Sequence, residues 1–208
     1  TDHPRMTRRN SRHHYPVPDA VLQLSLPSGA GATGYATSYP HLLQALVGRP
    51  IDPAGYVAVA HMVYGWMPTV LELRTRSAVP FADEAAILES VRNGAALSED
   101  QLDQLKASIN NSIVGVSKLL HFLCPDRYAI WDSKVYSYLR AVADPGWNGR
   151  VDHEDVNKTG RYRTYMDELS CLVAGPAFEP AHQRVNHEMG YPVTALRAAE
   201  VLMYANAP

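Results

Sequence analysis

Cysteine is almost absent from the 208 residues: only Cys124 and Cys171 occur. Two thiols cannot build the framework of bridges that staples small secreted domains, and they cannot supply the four thiolates of an iron-sulfur cluster. Each lies in a strongly apolar helical pattern, where a free thiol acts as a small hydrophobe, so a reducing, cytoplasmic or nucleoid location is expected. Apolar runs long enough to span a membrane are missing, as is the pattern of a signal peptide, and no membrane partner is expected. An excess of basic charge is missing too. Lys and Arg number 19 against 21 Asp and Glu, for a formal net charge of -2. Non-specific affinity for nucleic acid comes from neutralising many phosphates, so this balance excludes a coat protein of nucleic acid but not a local patch. Two basic segments stand out: Arg5, Arg8, Arg9, Arg12, His13 and His14, whose ordinary reading is a solvated tail, and Lys158 with Arg161 and Arg163. No Gly-rich phosphate loop, Gly-x-Ser-x-Gly elbow or protease-like Cys/His pair is present. His182 and His187 are wrongly spaced to share a metal on one helix, and His61 and His121 stand alone on apolar segments. Neither a metal site nor a cofactor is expected.

What is present is helix punctuation. With 46% hydrophobic and 19% charged residues, the chain can fold as one domain or as two closely packed lobes. Residues 1–37 lack sustained periodicity and read as a flexible basic arm and loop with one short helix near 18–25. From Ser38 the signals are helical. Ser38 caps a helix that holds Pro40 and stops at Gly48; Asp52, followed by Pro53, caps one that runs to about Trp66 and ends at Pro68. The segment Val70–Thr75 is extended or short helix. Helices follow at 82–93, closed by Gly94, and at 98–110, opened by a Ser98/Gln101 capping box. Others occupy 112–124, 132–142, 160–173, 177–188 and 192–205. The expectation is an all-α, compact, irregular bundle of about eight to nine helices, at least two thirds helical, with residues 38–208 as its single helical domain.

The stretch from Ser112 to Tyr136 carries the chemistry. On a helix, Val116, Leu119, Leu120 and Leu123 form one apolar stripe, and Lys118 lies opposite. A lysine there is ordinarily solvated. Yet Phe122 lies one turn beyond it and His121 beside it, so that face is expected to line a cleft, where desolvation turns an amine into a nucleophile. The chain turns at Pro125 and returns through Tyr128-Ala-Ile-Trp131 to Asp132 at a helix start. Asp132 reads first as an N-cap, and the turn also lets it face Lys118.

A glycine-containing turn, Ser117-Lys118 on a helix, a proline-bearing turn, then an apolar pair and Asp132 opening the next helix together resemble the helix-hairpin-helix DNA glycosylases, closest to their 8-oxoguanine branch and its uncharacterised bacterial relatives. The match covers about thirty residues, with Val114-Gly115-Val116 holding one glycine where that family has two. The resemblance implies a helix-hairpin-helix fold and cleavage of the N-glycosidic bond of an oxidised or otherwise modified base in double-stranded DNA. Such an activity serves repair or defence against modified phage DNA, with or without Schiff-base lyase chemistry, and a monomer suffices for it. Lys118 then matches the nucleophile and Asp132 the catalytic carboxylate. A flipped base needs apolar walls, for which Trp66, Phe122, Tyr128 and Trp131 are candidates with His121. Gly115 and Ser117 in the hairpin, Ser133 and Lys134 at the next helix start, and Arg161 and Arg163 are the candidate DNA contacts. Two other readings stand beside this one: a non-catalytic helical DNA- or protein-binding protein of the same fold, and an unrelated helical toxin or antitoxin in which Asp132 is only a cap.

Overall fold

The computed structural model describes residues 15–67 and 69–208; the basic run Arg5–His14 and the helix-ending Pro68 lie outside the described residues. Among the described residues ten α-helices follow one another: α1 (Gly34–Leu46), α2 (Pro53–Gly65), α3 (Ala82–Arg92), α4 (Glu99–Ser108), α5 (Ile113–Leu123), α6 (Ser133–Ala143), α7 (His153–Val156), α8 (Thr159–Ala174), α9 (Glu179–Met189) and α10 (Ala195–Ala205). Short 3-10 turns add Asp19–Gln23, Ala30–Ala32 and Pro176–Phe178. Helix takes up 63% of the described chain, a little under the expected two thirds, because the connections before α3 and α7 are irregular. The one-turn α7, capped by Asp152, is too short to show a period in sequence.

Most boundaries follow the cap chemistry. Asp52 accepts from Gly55 N at 2.7 Å with Pro53 at the first helical position, and the capping box of α4 forms in both directions between Ser98 and Gln101. The start of α1 differs. Thr33, not Ser38, is its cap, so Pro40 falls inside the helix, where it lacks the N–H that would reach Ala36 O. Tyr191 supplies the missing donor, its hydroxyl bonding Ala36 O at 2.6 Å. Ser38 instead accepts from Trp66 Nε1 at 3.2 Å, which ties α1 to the end of α2. The segment Val70–Thr75 is extended and finds its partner in the α4–α5 turn. Leu73 bridges Ile109 in antiparallel sense, and Asn110 bonds Glu72 N at 2.8 Å and Val70 O at 2.9 Å through its side chain.

Residues 15–37 are not a free arm. Val21 is fully buried, Val17 N donates to Glu168 Oε2 at 2.8 Å, and Arg184 holds Leu22 O at 2.7 Å, so the described part of this segment belongs to the helical unit. One continuous core runs through the molecule. α5 packs on α1, α2, α4 and α8, while α10 packs on α6, α8 and α9. Central placement changes the reading of α5: Val116, Leu119 and Leu120 are buried as expected and Leu123 half-buried, but His121 and Phe122 on another face are buried as well. A helix covered nearly all round leaves little room for Lys118 to reach bulk water.

Candidate active site

Between α5 and the start of α6 the chain runs as an extended, buried strap, Tyr128–Trp131, whose backbone groups need partners because no helix or sheet supplies them. Side chains do. His121 Nδ1 bonds Tyr128 O at 2.7 Å, Tyr162 donates to Ala129 O at 3.2 Å, and Tyr165 donates to Ile130 O at 3.2 Å. Trp131 N donates to Ser117 Oγ at 3.0 Å, and the indole of Trp131 donates to Val156 O at 2.8 Å. The Ser117–Trp131 bond matters most, because the residue after each partner is a member of the site. It pins Lys118 and Asp132 to one cleft.

That cleft, about 480 Å³ in volume, is lined by Lys118 from α5, Asp132 from the start of α6, Trp66 from the end of α2, Tyr35 from α1, and Arg197, Glu200, Val201 and Tyr204 from α10. The four α10 residues recur at offsets of three, four and seven and so present one stripe. Tyr35 and Tyr204 are about half exposed at the mouth, and Trp66 meets the Tyr35 ring edge-on at 5.5 Å. Asp132 is a true N-cap: Oδ1 accepts from Lys134 N and Val135 N, each at 3.0 Å, and Oδ2 has no hydrogen bond among the described residues. Lys118 is half-buried and likewise has no hydrogen-bond partner among the described residues. Burial holds its ammonium below the usual lysine range; Asp132 and Glu200 oppose that shift and Arg197 adds to it.

Behind the cleft wall lies a polar chain. Burial and the nearby Arg197 push His121 down to about 3, so its ring is neutral. A neutral imidazole that donates from Nδ1 to the Tyr128 carbonyl must accept at Nε2, and Tyr39 Oη, 2.8 Å away, is the donor. The Arg197 guanidinium lies over the Tyr39 ring at 4.9 Å and donates from Nη1 to Glu200 Oε2.

Of the residues expected in a base pocket, Trp66 alone lines this cleft. Phe122 is buried behind Trp66, its ring 5.1 Å away, His121 and Trp131 are buried scaffold, and half-buried Tyr128 accepts from His121 through its backbone carbonyl. The His121 side chain is spent on the strap's backbone and the Trp131 indole on Val156 O, demands that exist only once the strap is packed against its neighbours. The expected DNA contacts are corrected likewise. A Cβ on Gly115 would stand 2.1 Å from Tyr64 Oη, so this glycine permits the α2–α5 approach. Neighbouring hairpin amides are occupied, Ile113 N by Asn157 at 2.9 Å and Gly115 N by Ser112 at 3.1 Å, which leaves them unable to grip phosphate. Ser117 is fully buried. Arg161 holds Asp155 with two bonds at 3.1 Å, and Arg163 holds Glu99 at 2.5 Å. Ser133 and Lys134 remain at the start of α6, half-exposed and exposed, beside Asp132.

Arg197, Glu200, Tyr35 and Tyr204 had no part in the sequence reading. A signal existed for the first two: in Ala195–Ala205 they are the only charged residues of an otherwise mostly apolar helix, and a mostly buried helix has little reason to carry a charge pair unless something faces it.

No family model, no curated protein and no solved structure matches the chain. Among the described residues, no group of three or more His, Cys, Asp or Glu is placed to hold a metal ion, and no helix is long and apolar enough to cross a membrane.

Proposed function

We propose that the cleft is the centre of a DNA N-glycosylase. The observation that carries this reading is the meeting of a desolvated lysine without a hydrogen bond and a carboxylate with one uncommitted oxygen in a single apolar-walled cleft. The volume of about 480 Å³ is in the ordinary range for a small-molecule pocket, roughly 300–1,000 Å³, and the aromatic rings of Tyr35, Trp66 and Tyr204 suit a flat heterocycle. In the reaction, the neutral Lys118 amine forms a bond to the sugar C1′ as the C1′–N bond breaks and its electron pair leaves with the base. Asp132, fixed by two backbone amides, stabilises the positive charge that develops on the sugar. Released base from duplexes carrying 8-oxoguanine, alkylated bases or modified pyrimidines is the first test. Borohydride should then trap a protein–DNA adduct that Lys118→Gln abolishes, and Asp132→Asn should keep the cap while lowering base release at least tenfold. Failure of every duplex to release base, with no adduct, removes the proposal.

A second reading is favoured by one set of observations. The hairpin amides and both basic residues of α8 named above already have partners within the protein, which leaves the expected grip on DNA phosphate unmade. A helical binding protein that uses the same cleft for a small ligand or a protein side chain fits that fact. Base release separates the two readings, because binding alone leaves the glycosidic bond intact.

A further inference from the structure

Glu200 has no role in the reaction as written above, yet it is almost completely buried, lines the same cleft as Lys118 and Asp132, and contacts Arg197 through only one of its oxygens. Its Oε1 has no hydrogen bond among the described residues. Arg197 is more than nine-tenths buried, and its Nε is out of reach of solvent with no hydrogen-bond partner among the described residues. Leaving buried donors and acceptors unmet is costly, so a pair with an idle oxygen facing a cleft is poorly explained by stability alone.

The charge balance of the cleft limits where its protons can sit. With Arg197 and Asp132 ionised, the cleft is neutral when Lys118 is protonated and Glu200 ionised. It is also neutral when the proton has moved and both are uncharged. It is not neutral when Lys118 alone has lost its proton to water, which leaves a net negative charge in a poorly solvated site. We infer that Lys118 and Glu200 share one proton, and that Glu200 is the acid that delivers it to the departing base. The inference rests on the glycosylase reading for its second half and, for its first, on the shared cleft and its charge balance.

The proton count closes. The neutral Lys118 amine attacks C1′, the C1′–N electron pair goes to the base nitrogen, and the proton held by the Glu200 carboxyl neutralises the base, directly or through one water. The new secondary ammonium returns its proton to the Glu200 carboxylate. That proton then passes to the ring oxygen O4′ as the C1′–O4′ bond breaks, and the nitrogen lone pair forms the iminium that borohydride traps. Burial pushes the Glu200 carboxyl up to about 7, with Arg197 opposing, which suits a group that must hold and release a proton near neutrality. The other groups acting on it are Asp132 at the start of α6, Lys118 on α5, Tyr39 on α1, Tyr165 on α8, and Arg197 and Tyr204 on α10 itself.

The test uses Glu200→Gln in the full chain with two measurements. The first is the pH dependence of Lys118 modification by formaldehyde and cyanoborohydride, followed by peptide mass spectrometry. The second is the pH dependence of single-turnover base release from the duplex that the screen identifies. Loss of the carboxylate leaves a protonated Lys118 without its counter-charge, so modification should begin about one pH unit lower than in the wild type. Base release should nevertheless fall at least tenfold, because the acid is gone, and Glu200→Asp should recover part of it. A more available nucleophile with slower chemistry is a result that lost packing would not give. Release at the wild-type rate in Glu200→Gln overturns the acid role, and modification that begins at unchanged or higher pH overturns the shared proton. If Glu200→Gln does not fold, Glu200→Asp decides: release below a tenth of the wild-type rate with an unshifted profile overturns the role. If the wild type itself releases no base, the glycosylase reading and the acid role fall together, and the modification arm alone decides the shared proton.

Discussion

Two buried carboxylates, each facing an arginine, behave in opposite ways. Asp155 on α7 is satisfied from several directions: Arg161 reaches it with two bonds at 3.1 Å, Lys158 with one at 3.0 Å, and the Tyr136 hydroxyl at 3.3 Å. Burial pushes its carboxyl up, but Arg161 and Lys158 outweigh that and hold it below the usual range. Glu200 has one arginine, and two other ionisable groups in its cleft compete for the same field. The comparison teaches that burial does not determine what a carboxylate does; the number of its committed partners does. A carboxylate with every oxygen engaged is a joint of the fold, and one with an idle oxygen beside a lysine can exchange a proton.

The structural carboxylate should show the greater loss when its charge is removed. Asp155→Asn strands Arg161 and loosens the α7–α8 corner, so unfolding free energy should drop by about 3 kcal/mol, within the range for removing one partner of a buried pair. Denaturant titration measures the loss, and whatever activity the cleft has should persist where the variant is folded. A drop under about 1 kcal/mol would place Asp155 with the weak surface pairs and undo the contrast.

A smaller effect is expected at Gly115, where the question is packing against phosphate binding. Gly115→Ala places a methyl group against Tyr64 Oη and should cost about 1–3 kcal/mol, the range for an overfilled core. Tyr64→Phe in the same chain should return part of the loss, because the nearest atom has been removed. If Gly115→Ala instead weakened DNA binding with stability intact, the glycine would belong to a phosphate grip after all.

A modest pH dependence should separate the two buried groups His121 and Glu200. His121 is neutral in the fold and titrates near 3 there against an ordinary 6.5, so the unfolded chain binds more protons between those values. Its contribution is complete above about 6.5 and is lost as pH falls toward 3. Glu200, raised from 4.5 to about 7, acts with the opposite sign over part of that window, its protonated form being favoured in the fold below about 7. Stability of the wild type between pH 7 and pH 5 should therefore change little. Glu200→Gln should uncover a loss of stability on acidification, and His121→Gln, which leaves only the Glu200 effect, should show a gain instead. Denaturant midpoints at the two pH values read both slopes.

Much of this was legible in the chain itself, because the relevant physics is local. Asp52-Pro53, Ser98 with Gln101, Ser112 and Asp132 place helix starts through a bond between a side chain and an amide two or three residues on, and nothing distant is needed. The all-α class follows from such signals, and so does the suspicion that Lys118 and Asp132 stand near one another, since a turn of a few residues joins their helices. Tertiary structure alone decided the rest. Pro40 could sit inside α1 because Tyr191, far along the chain, offers a hydroxyl to the carbonyl that proline orphans. Tyr128, Trp131 and His121 read more readily as core than as pocket walls, and the packing of the strap keeps all three out of the cleft. Arg197 and Glu200 entered the cleft because α10 lies across α6 and α8, a crossing set by the packing of distant apolar faces rather than by any residue near the pair.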